Sequence, residues 1–195
     1  MRTTPVIIEA PMKNALLLVS VVLLSVPRGA QAQSGGATNP MISGVGREWK
    51  QISGYIAMAA DQMPESDYAF RPTPQVRTFA ELIGHLADGQ FSICAAALGE
   101  VPKAVEGDWE KKTAKAELTA AFRASTEYCA RAYAQPDASA SLPTKLFGQD
   151  ATHFAALIRN AVHDGEHYGN IVTYMRLKGM VPPSSQPAPP ATPVR

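Results

Sequence analysis

Two histidines one helical turn apart are the residues whose type and spacing point most directly to chemistry. They are His163 and His167, near the end of the 195-residue chain, in the segment His-Asp-Gly-Glu-His. Four residues of an α-helix turn through about 400° and rise about 6 Å, so both imidazoles leave on one face. Such a pair can bind one metal ion, as it does in other helical metal sites. The alternative is two solvent-exposed helix residues.

The same segment matches the H-x-x-E-H pattern of inverzincin zinc proteases, in which the glutamate is the general base. Such a protease needs a further acidic ligand downstream, but no Asp or Glu follows His167. It also needs a far longer chain. No Ser-His-Asp or Cys-His arrangement and no glycine-rich phosphate loop stands out. The sequence therefore argues against a protease.

A third ligand must come from elsewhere, and two further histidines are available. His85 lies at the edge of the apolar face of a predicted helix, so it can point obliquely into the protein; the alternative is a boundary histidine bonded to a carbonyl. His153 precedes His167 by fourteen residues, which places it about 20 Å away along the same helix. We therefore favour His85 as the third ligand and assign His153 to the first helical turn or the surface.

Four helical segments are predicted between Met41 and Met180. Within that region prolines occur only at positions 64, 72, 74, 102, 136 and 143, which mark connections because helix interiors exclude proline. Apolar residues recur at spacings of three and four in each segment. Thr78 and Glu81 form a predicted capping box, and Gly179 is expected to end the last helix. These features predict an all-α four-helix bundle with no strand and no second domain.

The N-terminal residues 1–32 have the features of a secretory signal peptide. Lys13 precedes an apolar run at residues 15–26, and small residues at 30–32 suit cleavage. We expect translation to begin at Met12, and a retained membrane anchor is the alternative. The protein is then periplasmic or extracellular, with no stable membrane insertion after cleavage. Residues 33–40 are a predicted linker to the bundle.

The composition predicts a disordered C-terminal tail and argues against a nucleic-acid-binding protein and a cysteine-rich fold. Residues 181–195 hold six prolines and predict a disordered tail. The formal net charge of +1 argues against a nucleic-acid partner. Two cysteines cannot build a four-cysteine zinc site or a dense disulfide scaffold.

The predicted bundle resembles the DinB-like (DinB/YfiT) superfamily of metal-binding four-helix bundles. The similarity runs from about Met41 to Pro183 and is carried by residues 70–74, 79–88 and 163–176. The last of these segments, which begins His-Asp-Gly-Glu-His-Tyr-Gly-Asn, is the specific one. Members of the family usually have Gln where this chain has Asn170.

The resemblance implies an up-down-down-up bundle in which the second and third helices run parallel. It implies His85, His163 and His167 as ligands of a divalent ion, with zinc or nickel first and manganese or iron as further candidates. Characterised relatives include transferases and isomerases that act with low-molecular-weight thiols, and many relatives have no assigned reaction. Related bundles often dimerise, so a homodimer is a further expectation.

The implied topology also bears on the two cysteines. Cys94 and Cys129 each lie sixteen residues after the predicted start of a helix, at Thr78 and Thr113 respectively. In parallel helices they stand at the same height, whereas in antiparallel neighbours they are offset by about 15 Å, too far for a bond. We predict a Cys94–Cys129 disulfide, and two buried core thiols are the alternative.

Three imidazoles leave at least one coordination position open, as in catalytic zinc sites. We therefore predict an exported metal-dependent enzyme, hydrolase-like or a transferase, acting on an unknown small molecule. The alternatives are a non-catalytic metal-binding bundle and an envelope interaction module with a vestigial site. Asp164 and Glu166 are candidates for a general base, for contacts that orient the ligands or for surface charge, and we favour the last two roles. Asp88 and Asn170 are further candidates for contacts that orient the ligands.

Overall fold

The structure is a computed structural model that describes residues 39–101 and 108–187. The predicted signal peptide, most of the predicted linker and the end of the predicted tail lie outside the described residues. In the part that is described, the four predicted helices are confirmed. They are α1 (Pro40–Gln62), α2 (Phe79–Leu98), α3 (Lys115–Tyr133) and α4 (His153–Leu177).

The four helices form a bundle in which α2 and α3 run parallel. Phe79 and Leu118, from the first turns of α2 and α3, lie in one core cluster, and Cys94 and Cys129, near the other ends, lie in a second. Helices α1 and α4 run in the opposite sense, because their N-terminal turns contribute to the second cluster and their C-terminal turns to the first. The topology is therefore up-down-down-up, as the family resemblance implied.

Each helix buries one face in this core. Phe79, Phe122 and Ile56 are buried almost completely, and burial of an apolar side chain of this size contributes about 1.5–3 kcal/mol. The capping box that begins α2 is present, since Glu81 N donates to Thr78 Oγ1 and Thr78 N donates to the Glu81 carboxylate. Gly179, with φ of 73°, follows the end of α4.

Cys94 and Cys129 form the disulfide that was predicted from the parallel topology. The Cα atoms are 5.3 Å apart and both residues are fully buried between α2 and α3.

Two predictions about the connections are wrong. A two-stranded antiparallel hairpin, β1 (Pro143–Leu146) and β2 (Gln149–Thr152), precedes α4, although no strand was predicted. Its strands are too short and polar to show an alternating pattern, and Phe147 and Gly148 provide the turn with φ of 50° and 80°. The predicted disordered tail also begins too early, because residues 181–187 pack on the bundle with Pro182 and Pro183 buried.

One short connection matters for the site. Residues Trp109–Lys111 form a single 3-10 turn before α3, and this turn packs against α2. No helix in the described ranges is long and apolar enough to cross a membrane.

Candidate metal centre

The antiparallel packing of α2 against α4 brings the three predicted ligands together. Candidate ligand atoms of His85, His163 and His167, one from each ring, all lie within 4.8 Å of one another. Nε2 of His163 is 3.1 Å from Nε2 of His85. Two nitrogens bound to one tetrahedral zinc ion are about 3.3 Å apart, so this spacing suits a single ion. Among the residues that the structure describes, no other group of three His, Cys, Asp or Glu side chains is arranged in this way.

The surroundings keep two of the imidazoles, those of His85 and His167, in the neutral form that binds metal. Burial lowers the pKa of His85, although its hydrogen bond with Glu110 opposes that shift. Burial, with the nearby charges of His163 and His85, lowers the pKa of His167 to about 4. Both rings are therefore neutral at pH 7, each with a proton on only one of its two nitrogens. Neutral imidazole nitrogens suit zinc, nickel and iron better than calcium, magnesium or manganese, so this donor set fits three of the four ions that the family implies.

Glu110 is the partner of His85 that sequence reasoning missed. Its Oε2 lies 3.0 Å from Nδ1 of His85, and its Oε1 accepts a hydrogen bond of 2.7 Å from Nε of Arg77. Burial raises the pKa of Glu110, but the hydrogen bonds from Arg77 and His85 outweigh it and leave the pKa below its ordinary value. The carboxylate therefore accepts the Nδ1 proton of His85 and leaves Nε2 free to bind an ion.

Glu110 reaches His85 because two residues of α2 hold the turn at residues 109–111 in place. A Cβ at Gly84 would lie 2.1 Å from the carbonyl oxygen of Trp109, so only glycine permits this close approach. One helical turn later, the carboxylate of Asp88 accepts hydrogen bonds from the backbone N–H groups of Trp109 and Glu110, at 3.3 and 3.1 Å. Asp88 was predicted to contact the candidate ligands. It instead holds the backbone of Glu110, the residue that contacts His85.

A second glycine of α2 makes room for His163. A Cβ at Gly89 would lie 2.6 Å from Cε1 of the His163 ring and 3.1 Å from its Nδ1. The ring of α4 thus packs directly on the backbone of α2. A side chain of any size at position 89 would push it away from the other two histidines.

Asp164 lies on the inner side of His163. It is fully buried, and its Oδ2 accepts a hydrogen bond of 2.7 Å from Nε2 of Gln90 on α2. Its Oδ1 is 3.8 Å from Nδ1 of His163. Burial raises the pKa of Asp164, while His163, Gln90 and the indole N–H of Trp49 oppose the rise. Asp164 is thus among the predicted polar residues that the structure places beside a ligand.

The other predicted residues differ in their positions. The side-chain amide of Asn170 lies 3.3 Å from Nδ1 of His167, so it contacts a ligand. Glu166 is exposed, and its carboxylate faces Arg159 at 3.9 Å, so it has no contact with the histidines and is a surface charge. His153 is the first residue of α4, and it is buried rather than exposed, with its ring against Gly99.

A cleft of about 710 Å³ opens next to Glu110 and Asn170, the partners of His85 and His167, and the three histidines are not among the residues that line it. Three of its lining residues, Arg77, Glu110 and Asn170, also contact the ligands or their partners. The opposite wall is formed by residues 71–76, the loop that precedes α2. The cleft therefore reaches the hydrogen-bond partners of His85 and His167 rather than the imidazoles themselves.

Comparison with known proteins gives a family and a fold. The family model described as the DinB superfamily matches residues 49–171. A solved DinB-like protein from Bacillus cereus ATCC 10987 superimposes with a TM-score of 0.63 at 16% identity, covering 73% of this chain and 95% of that one. No curated protein sequence matches the chain.

Proposed function

Because this chain belongs to the DinB superfamily, we propose that it is an exported, metal-dependent enzyme with hydrolase-like chemistry. His85, His163 and His167 would hold one divalent ion, zinc or nickel first, and the substrate is a small molecule. The observation that carries the proposal is the convergence of three imidazoles, together with a cleft lined by Glu110 and Asn170, which contact two of them. A divalent ion in such a site acts as a Lewis acid and lowers the pKa of water.

The geometry around the histidines supports an open rather than a closed metal site. In the described part of the chain, the group of candidate ligands has three members and no carboxylate or thiolate as a fourth. Structural zinc sites use four protein ligands, whereas catalytic sites use three and leave a position for substrate. This difference favours an enzyme over the alternative of a non-catalytic metal-binding bundle.

Two residues beside the histidines would support the ion, and both also line the proposed substrate cleft. Glu110 accepts the Nδ1 proton of His85 and so presents Nε2 to the ion. Arg77 neutralises Glu110 and keeps its carboxylate in place. The cleft lined by both residues has a volume of about 710 Å³, which is within the range of about 300–1,000 Å³ usual for small-molecule sites. Its lining, which includes Thr173 and Gln75, suits a polar substrate.

Export is proposed from the N-terminal sequence and is supported by the disulfide. Disulfides persist in the periplasm and outside the cell and are rare in the cytosol. The Cys94–Cys129 bond lies in the core, and its two residues account for both cysteines of the chain. Fractionation of cells that express the full-length gene would test this part of the proposal, since recovery of the uncleaved protein in the cytosol would refute it.

The proposed metal site is tested by elemental analysis of the untagged protein. We expect wild-type protein to carry about one equivalent of a divalent ion and the His163→Ala variant to carry almost none. His153→Ala is the matched control, because it removes another buried histidine of the same helix and should leave the metal content unchanged. Equal metal in wild type and His163→Ala would refute the site.

The enzymatic part needs a separate assay. We expect metal-loaded protein to hydrolyse at least one class in a panel of chromogenic carboxylic esters, phosphate esters and anilides, and His163→Ala to lose that activity. A protein that carries metal yet hydrolyses none of these would favour the non-catalytic alternative. Homodimerisation stays a prediction.

A further inference from the structure

A buried polar cluster that includes one residue from each helix lies beneath the histidines. It consists of Trp49 on α1, Gln90 on α2, Ser125 on α3 and Asp164 on α4, next to His163. Asp164, Gln90 and Ser125 are completely buried. Because burial of so many polar groups is costly, the cluster requires a reason beyond packing.

Three polar atoms, two in this cluster and one in the adjacent His163, are buried without a hydrogen-bond partner among the described residues. They are Oδ1 of Asp164, Nδ1 of His163 and Nε1 of Trp49. The first is an acceptor, the indole nitrogen is a donor, and the imidazole nitrogen can be a donor. One carboxylate oxygen can accept two hydrogen bonds, so Oδ1 of Asp164 can satisfy both neighbours. The distance of 3.8 Å from Nδ1 of His163 to Oδ1 needs to shorten by less than 1 Å for a hydrogen bond to form.

The other oxygen of Asp164 is already held. Gln90 donates to Oδ2 at 2.7 Å, and the side-chain oxygen of Gln90 in turn accepts from Ser125 at 2.8 Å and Thr126 at 3.1 Å. The two donors on α3 thereby dictate which way the Gln90 amide points. The amide nitrogen must therefore face Asp164, and its hydrogen bond to Oδ2 holds the carboxylate in one orientation.

We propose that Asp164 is a positioning residue for His163. It accepts the Nδ1 proton of that ring, so Nε2 is unprotonated and faces the ion, while Gln90 fixes the carboxylate. Glu110 likewise accepts the Nδ1 proton of His85, so each of these two candidate ligands has its own carboxylate partner. The proposal deepens the proposed function and depends on its metal site.

Asp164→Asn separates a positioning role from a structural one. The asparagine oxygen can still accept the hydrogen bond from Gln90, so its NH2 group then faces Nδ1 of His163. The NH2 group and an Nδ1–H group of His163 are both donors, so the ring is expected to move its proton to Nε2. A protonated Nε2 cannot bind the metal ion. The variant also removes a buried carboxylate, so the metal-free fold should be as stable as wild type or more so. A structural role would instead lower stability and zinc affinity together.

The experiment measures zinc affinity by competition with a chromogenic chelator and the unfolding temperature of metal-free protein. Glu166→Gln is the matched control, because it removes an exposed carboxylate two residues away on the same helix. We expect Asp164→Asn to bind zinc about 10- to 100-fold more weakly, Glu166→Gln to bind as wild type does, and neither to melt at a lower temperature.

Nuclear magnetic resonance of zinc-loaded wild-type protein keeps the proposal testable should Asp164→Asn not fold. We expect a slowly exchanging imidazole N–H signal from Nδ1 of His163. Its absence, or unchanged zinc affinity in a folded Asp164→Asn variant, would overturn the role of Asp164 and leave the metal site intact. Absence of zinc binding by wild-type protein would overturn both the site and this role.

Discussion

The glycine at position 89 gives a direct test of how the metal centre is assembled. In a helix interior, alanine is normally more stable than glycine by about 1 kcal/mol, so Gly89→Ala should be favourable on backbone grounds alone. The added methyl carbon, however, would lie 2.6 Å from Cε1 of His163. Carbon atoms make normal contact at about 3.5 Å or more, so the ring must move by about 0.9 Å.

A movement of this size exceeds what a metal site tolerates. Ligand distances in such sites hold within about 0.2 Å of their ideal values, so a ring displaced by about 0.9 Å no longer binds the same ion as His85 and His167. We expect Gly89→Ala to bind zinc at least about 10- to 100-fold more weakly than wild type, the range seen when the support of a ligand is lost.

The assay is zinc competition at neutral pH with circular dichroism to verify folding. Gly54→Ala is the control, since Gly54 also lies in a helix interior and an added Cβ there meets nothing within 4 Å. That variant should gain about 0.5–1 kcal/mol of stability and keep its zinc affinity. Wild-type zinc affinity in a folded Gly89→Ala variant would show that His163 is not held against α2 as described.

The disulfide, the partner of His85 and the protonation of His167 each give a further prediction. Replacing Cys94 and Cys129 by serine opens a 35-residue loop and should lower the free energy of unfolding by about 4 kcal/mol, and an unchanged midpoint in urea would contradict this. Glu110→Gln should weaken zinc binding by about 10-fold or more, whereas Glu117→Gln, an exposed acid on α3, should not. Because the pKa of His167 is about 4 in the folded protein, below its ordinary value of about 6.5, the unfolded chain takes up the proton first. Metal-free stability should therefore fall as pH decreases from about 6.5 to 4, and a His167→Gln variant with the same pH profile would refute this.

The helices and two of the three candidate ligands can be predicted from local sequence. Proline positions and apolar spacing depend on neighbours along the chain, so they predict α1 to α4 without knowledge of the packing. His163 and His167 share a face in any helix that contains them both. His85 could only be favoured as the third ligand, since its distance from the other two histidines depends on how α2 packs against α4. The short hairpin and the packed residues 181–187 were not predictable in this way, because tertiary contacts rather than sequence period define them.

By itself, the sequence determined the histidine pair, the existence of the four helices and, through the family resemblance, the topology that pairs the cysteines. Only the tertiary structure decided what supports the ligands. Glu110 meets His85 across 25 residues of sequence, and Gln90 meets Asp164 across 74. The close contacts at Gly84 and Gly89 exist only once the turn at residues 109–111 and α4 pack on α2. A periodic pattern states which face of a helix is buried, but the partner of each polar atom depends on what the other helices place within hydrogen-bond distance.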